Sequence, residues 1–310
     1  MNIVCTIDNN YAQHCAVMLS SLFINNPNQK FYIYIITNGL KKHISNKIKR
    51  FFYTIKQEYS IIEIQTSELE KAPVSHHISL ATYFRLFIPE VIPDNIDKIL
   101  FIDSDIIIRK SIDQLWSLDI QSFSHAAAIA SGMDDYPSKI NLPEGSLYFN
   151  AGLMLINLKA WREMKVFHRG CALIYQQPEL LQWWDQDVLN ILLNNSWLPV
   201  DLTWNSQPYL YDESLINSKY QDKYKKFNYL EAKIDPAIVH FVGGGSAKPW
   251  HLNCNHPFKH EYFKYLKKTP WKNSHLIGKP SFISKIRFYL GLGSKLHNFL
   301  QFLRTKLFSI

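Results

Sequence analysis

Along the first part of the chain, short apolar runs alternate with longer segments in which apolar residues recur every three to four positions. Ile3 to Ile7 is such a run and ends at Asp8-Asn9-Asn10, which predicts a short buried strand. From Tyr11 to Phe23, Ala12, Cys15, Ala16, Leu19 and Leu22 share one helical face, and Asn25-Asn26-Pro27-Asn28 stops the helix. Phe31 to Thr37 predicts a second strand closed by Asn38-Gly39, Ile44 to Tyr59 an amphipathic helix, and Ile61 to Gln65 an alternating strand. This β-α-β-α-β order predicts an open, largely parallel sheet with helices on its faces. Ligands of such sheets bind outside the carboxyl ends of the strands, so chemistry is to be sought just after each apolar run.

Further along, a loop holds Ser75-His76-His77, and a helix is predicted over Leu80 to Phe87, ended by Pro89 and Pro93. Lys98 to Ile108 reads as one strand-like run interrupted by Asp103 and Asp105. Apolar segments follow at 125–130 and from Asn150 to Asn157, with helices over Trp161 to Tyr175 and from Asp185 to Leu193. A last strand, Ile238 to Phe241, runs into a glycine turn.

Asp103 and Asp105 stand two apart, and in a strand such positions share a face. Two unpaired carboxylates in an apolar run are costly to bury, and a divalent cation offsets that cost: hard oxygen ligands suit Mg²⁺ or Mn²⁺. The alternative is a strand end facing water. His240 closes the late strand as a rim residue or as a further ligand; an imidazole beside carboxylates tilts the choice toward Mn²⁺. Gly243-Gly244-Gly245 through Trp250 follows, either a plain turn or a backbone that approaches phosphate, with Lys248 as a point charge. Neither a P-loop nor a G-x-G-x-x-G motif is present. Asp8, Asn10 and Tyr11 either cap the first helix or hold a base and ribose. Asp185-Gln186-Asp187 heads a helix, where acids complement the dipole.

Composition changes the picture in two places. Net charge is +8, which favours anionic partners. Lys285, Arg287, Lys295, Arg304 and Lys306 concentrate it in a tail with no acid. From Leu292 the apolar positions 292, 296, 299, 300, 303 and 307 share one helical face, which predicts a cationic amphipathic helix lying on an anionic membrane surface. The other reading docks that helix on the protein core. Four scattered cysteines suit a reducing cytosol. The acid at position 8 and the lack of a basic lead speak against a signal peptide, and no apolar stretch is long enough for a transmembrane helix. The expected location is therefore cytoplasmic, peripheral to the inner face of the plasma membrane.

Six motifs in one order carry a resemblance: Asp8-Asn9-Asn10-Tyr11, Thr82-Tyr83-Phe84-Arg85-Leu86, Phe101-Ile102-Asp103-Ser104-Asp105, Tyr148-Phe149-Asn150-Ala151-Gly152, Trp184-Asp185-Gln186-Asp187, and His240 through Trp250. Together they resemble retaining glycosyltransferase family 8, which includes glycogenin and the bacterial lipopolysaccharide α-galactosyl- and α-glucosyltransferases. His256-Pro257-Phe258 through Trp271 looks like the C-terminal module of the lipopolysaccharide-core branch. The resemblance implies an α/β GT-A fold over residues 1–255: a Rossmann-like nucleotide-binding half on a continuous mixed sheet. A helical, basic, membrane-associating extension over 256–310 would follow.

It further implies that Asp103, Asp105 and His240 hold Mn²⁺ (or Mg²⁺). Asp8, Asn10, Tyr11, Ser104, Gly243 and Lys248 would bind the nucleotide, and Arg85, Asn150, Asp185 and Gln186 the donor sugar, with Gln186 and Asp185 at the reacting carbon. The family pattern places an acid where this chain has Ala130; Asp134 or Asp135 is the nearest substitute. The implied activity is transfer of glucose or galactose from a UDP-hexose to a lipopolysaccharide-core glycolipid or oligosaccharide, with retention, in enzyme class EC 2.4.1. Rival readings are a self-glucosylating or protein glycosyltransferase, an inactive sugar-binding scaffold, and a nucleic-acid binder. The acid pairs and the concentration of net positive charge in the tail argue against a nucleic-acid partner.

Overall fold

The computed structural model describes residues 1–70, 72–74, 79–212 and 220–278. The expected tail helix and the loop Ser75-His76-His77 lie outside the described residues.

The apolar runs become strands β1 (Asn2–Thr6), β2 (Tyr32–Thr37), β3 (Glu58–Glu63) and β4 (Lys98–Ile102). Ile3, Val4, Cys5, Ile33, Ile35 and Ile36 are buried because both faces of this parallel half are covered. Helices α1 (Ala12–Asn25) and α2 (Lys42–Ile55) form the crossovers. The second helix ends earlier than the periodicity suggests. Lys56 turns left-handed (φ 55°), and β3 then begins at Glu58, where its residues pair with Tyr32 onward.

The run from Lys98 to Ile108 is two strands, not one. β4 belongs to a seven-stranded sheet, while β5 (Ile106–Ile108) pairs with β9 (Ile238–His240) in a separate two-stranded ribbon. With β6 (His125–Ile129), β7 (Phe149–Asn157) and β8 (Trp197–Val200), the order of the large sheet is β3-β2-β1-β4-β7-β6-β8. β7 is antiparallel to both β4 and β6, whereas β6 and β8 pair in parallel, so the sheet is mixed: β7 is the one reversed strand, set between the parallel strands β3-β2-β1-β4 and the parallel pair β6-β8.

Two helices also differ from expectation. Leu80–Phe87 is 3₁₀ throughout, and Pro89 opens the following helical turn rather than ending the first. The segment after β7 is broken at Lys165 (φ 53°) into helices Leu158–Glu163 and Val166–Gln176.

One hydrophobic core spans both halves. Helix Lys259–Leu266 packs on α1: the Tyr262 hydroxyl lies 2.7 Å from His14 Nδ1, and Asn25 donates to the Tyr265 hydroxyl at 2.7 Å. No helix among the described residues is long and apolar enough to cross a membrane.

The reversed strand rests on Leu155, which is fully buried and pairs with Leu100 on one side and Ala126 on the other. Leu155→Ala is expected to lower the free energy of unfolding by about 2–5 kcal/mol, measured by urea titration followed by circular dichroism.

Candidate active site

The β4–β7 pairing sets up the site. Its register ends with Ile102 opposite Leu153, and the next backbone bond runs from Asp103 N to Gly152 O at 2.8 Å. The chain then leaves the sheet through the turn Asp103-Ser104-Asp105. The ribbon pairs Ile106 with His240, and Phe241 N donates to Asp105 O at 3.0 Å. Asp103, Asp105 and His240 thereby each offer a ligand atom within 4.8 Å of the others. The carboxylates meet because a turn folds them together between two sheets. The same-face rule for a continuous strand, expected from the sequence, does not apply here.

Gly152 makes this convergence sterically feasible. A Cβ at that position would collide with the His240 imidazole and stand 2.8 Å from Asp103 Oδ2. The glycine allows side chains from two other elements to close over the backbone of β7.

The buried charges are neutralised in pairs. Arg85, carried by the 3₁₀ helix Leu80–Phe87, bridges Asp103 (3.0 Å) and Asp185 (2.8 Å). Its guanidinium also donates to Ala151 O at 2.6 Å and lies 4.5 Å over the Phe101 ring. Lys248 is bonded to Asp105 and donates to Phe241 O at 2.9 Å, while His240 Nε2 lies 3.3 Å from Asp105 Oδ1. Burial alone would raise Asp105, but Lys248 and His240 outweigh it and hold the carboxyl well below the usual range. Burial pushes Asp103 up to about 6, reinforced by Asp105 and opposed by Arg85.

A cleft of about 960 Å³ opens over this cluster, and a smaller one of about 130 Å³ adjoins it. Asn10, Tyr11, Arg85, Asp103, Asp105, Asn150, Asp185, Gln186, His240, Gly243 and Lys248 all line the larger; Asp8 and Ser104 line the smaller. Every site residue expected from the sequence thus reaches one connected cavity system. Asp8 closes the turn ahead of α1, accepting from the backbone of Asn10 (2.8 Å) and Tyr11 (3.0 Å); the helix itself starts after Tyr11 with no side-chain cap, so the capping reading does not hold. Gly243 (φ 102°) and Gly245 (φ 55°) occupy conformations that favour glycine.

At the far end, Asp185 is held by Arg85 and by the Thr82 hydroxyl. Burial raises its carboxyl, with Arg85 and Thr82 opposing. Gln186 Oε1 accepts from Asn150 Nδ2 (3.2 Å) and from Ala151 N (3.0 Å). Both of its lone pairs are therefore engaged.

Ala130 lines the large cleft, with Ser131 and Met133 beside it. Asp134 is tied to Lys223 and to the Tyr224 hydroxyl, both at 2.8 Å, and does not line the cleft. Asp135 does not line it either and accepts from the Tyr220 hydroxyl.

Several partners carried no sequence signal. Asn205 is fully buried and accepts from His240 Nδ1 at 3.0 Å, yet Trp204-Asn205-Ser206-Gln207 reads as an ordinary polar loop. His14 stacks on Trp250 at 3.5 Å along one wall of the cleft, a pairing of residues far apart in the chain.

The model of the family described as "Glycosyl transferase family 8" matches residues 2–254. General stress protein A of Bacillus subtilis (strain 168) is 33% identical, covering 91% of this chain and 97% of that protein. Lipopolysaccharide 1,3-galactosyltransferase of Salmonella typhimurium is 27% identical, covering 89% and 80%. The crystal structure of the galactosyltransferase LgtC in complex with donor and acceptor sugar analogs superposes with a TM-score of 0.79 at 27% identity, covering 87% and 96%. The fold is GT-A. With the family model matched over most of its length, and with a GT-A sheet beneath the site, the chain belongs to glycosyl transferase family 8 and is a retaining glycosyltransferase.

Proposed function

We propose that this enzyme takes glucose or galactose from a UDP-hexose and transfers it to a lipopolysaccharide-core glycolipid or oligosaccharide, using Mn²⁺. The observation that carries the reading is the convergence of Asp103, Asp105 and His240 in a cleft that also holds Lys248, Asp185 and Gln186. The acceptor class rests on the activity for which the Salmonella relative is named and on the basic tail of the sequence.

Two carboxylates and one imidazole fit a divalent ion of the Mn²⁺ type, with Mg²⁺ as the alternative. When bound, such an ion acts as a Lewis acid on the departing diphosphate. Asp8, Asn10, Tyr11 and Ser104 line the part of the cavity assigned to uridine and ribose. Gly243 and its neighbours offer backbone N–H groups to phosphate. Lys248 shares Asp105 with any cation, so cation binding frees its ammonium to neutralise the leaving diphosphate.

The sugar lies toward Arg85, Asn150, Asp185 and Gln186. The Asp185 carboxylate supplies fixed negative charge as positive character develops at C1. Gln186 is a neutral amide whose oxygen already accepts two hydrogen bonds, so it is not a nucleophile. The acceptor hydroxyl therefore attacks the face that the diphosphate leaves. The bond from C1 to the acceptor oxygen forms as the bond from C1 to the phosphate oxygen breaks, and a phosphate oxygen takes the hydroxyl proton. That course retains the anomeric configuration without a glycosyl-enzyme.

UDP release is expected from UDP-glucose or UDP-galactose with Mn²⁺, to vanish with EDTA, and to rise on adding lipopolysaccharide-core oligosaccharide. Release unaffected by EDTA would remove the metal from the mechanism. Gly152→Ala is expected to weaken Mn²⁺ binding by roughly 10-fold or more, read by calorimetry, while the far-ultraviolet spectrum stays unchanged. The tail would place the enzyme at the cytoplasmic face of the plasma membrane. A chain ending at Pro280 is expected to stop co-sedimenting with anionic vesicles yet keep hydrolysing UDP-hexose.

A further inference from the structure

Five side-chain hydrogen bonds run in one direction from the cation site to a buried carboxylate beyond the sugar site. His240 Nδ1 meets Asn205 Oδ1 at 3.0 Å, and Asn205 Nδ2 donates to Asn150 Oδ1 at 2.9 Å. Asn150 Nδ2 donates to Gln186 Oε1 at 3.2 Å, and Gln186 Nε2 to the Tyr148 hydroxyl at 3.2 Å. Tyr148 donates to Asp187 Oδ1 at 2.6 Å. Asn205 and Asp187 are fully buried, and Asn150 and Tyr148 nearly so.

The direction of this chain is dictated by the backbone of β7. Gly152 N donates to Asn150 Oδ1 at 3.1 Å, and Ala151 N donates to Gln186 Oε1 at 3.0 Å. A backbone N–H can only donate, so both amide oxygens are fixed as acceptors. Asn205 must then present its NH₂ group to Asn150, which leaves its oxygen facing His240. An oxygen there requires a proton on Nδ1, so Nε2, which faces Asp105 at 3.3 Å, is the nitrogen that presents a lone pair when a cation takes the place of its proton. That is the tautomer a cation ligand needs.

We propose that Asn205 is a positioning residue that couples the two ends of the active site. It fixes His240 in the tautomer that binds the cation, and it holds Asn150 so that Asn150 in turn orients the Gln186 amide at the sugar. The proposal rests on the cation reading given above, and it assigns to Asn205 no contact with substrate.

The two roles separate by substitution. Asn205→Leu removes both the acceptor and the donor. Asn205→Asp keeps an acceptor for His240 Nδ1–H but loses the donor to Asn150, whose oxygen keeps only the Gly152 N–H and faces a carboxylate oxygen instead, which loosens its hold on Gln186. The full chain is titrated with Mn²⁺, and free ion is read by electron paramagnetic resonance. Wild type is expected to bind. Asn205→Leu is expected to bind on the order of 10- to 100-fold more weakly with its thermal transition still cooperative. Asn205→Asp is expected to keep its Mn²⁺ affinity within about threefold, while kcat at saturating Mn²⁺ falls on the order of 10-fold and the UDP-hexose KM stays near wild type.

If Asn205→Leu does not fold, Asn205→Asp alone decides: a loss of Mn²⁺ affinity there with unchanged kcat overturns the proposal. A folded Asn205→Leu that binds Mn²⁺ as wild type also overturns it. Wild-type chain that binds no Mn²⁺ overturns the cation reading itself, which is a different result from either.

Discussion

The site is organised by the electrostatic problem of three carboxylates brought close together under a closed fold. Asp103, Asp105 and Asp185 face two permanent cations, Arg85 and Lys248. Burying an ionised carboxylate without compensation costs several kcal/mol, and the arrangement leaves one negative charge more than the two side chains cancel. The two metal-facing acids respond in opposite senses. Asp105, gripped by Lys248 and His240, is held ionised, while burial and its like-charged neighbour push Asp103 up to about 6. On the proposed reading a divalent ion would supply the missing positive charge; the fold itself stores a local excess of negative charge in the cleft.

That excess is assembled where one strand of the sheet is reversed. β7 runs against β4, so the carboxyl end of β4 lies beside the amino end of β7. Asp103 leaves β4 just where Asn150, Ala151 and Gly152 enter β7. The backbone of β7 then serves several side chains at once. Gly152 makes room for His240, Ala151 O receives Arg85, and the N–H groups of Ala151 and Gly152 orient Gln186 and Asn150. A purely parallel sheet would require a long crossover at this point and would not juxtapose these groups.

Much of this was legible in the chain, and the losses have a common cause. The early β-α-β-α-β rhythm follows from local pattern, and motif order singles out Asp103, Asp105, His240 and Lys248, which the fold brings into one cleft. Boundaries set by a single backbone residue did not: Lys56 and Lys165 turn left-handed, and nothing in their side chains announces it. The split of Lys98–Ile108 into strands of two sheets was invisible because both halves are equally apolar, and pairing partners are a tertiary choice. Asn205 was missed for the converse reason. A polar residue in a polar loop has no signature until the fold buries it fully against His240.

The orientation of Gln186 bears on why configuration is retained. A double displacement needs a basic atom on the face of the sugar opposite the leaving group. The amide oxygen of Gln186 is its only side-chain acceptor, and Asn150 and Ala151 occupy both of its lone pairs. The nearby carboxylate of Asp185 is likewise engaged at both oxygens, by Arg85 and Thr82. Freeing either group for attack would break bonds in a buried network, that from Ala151 N in one case and those from Arg85 and Thr82 in the other, at a cost of about 1–3 kcal/mol each. The same network that holds these groups still withholds them from covalent chemistry. On the reading proposed above, attack by the acceptor on the departing face would ask for no such rearrangement, because its base would be a phosphate oxygen generated by the reaction itself.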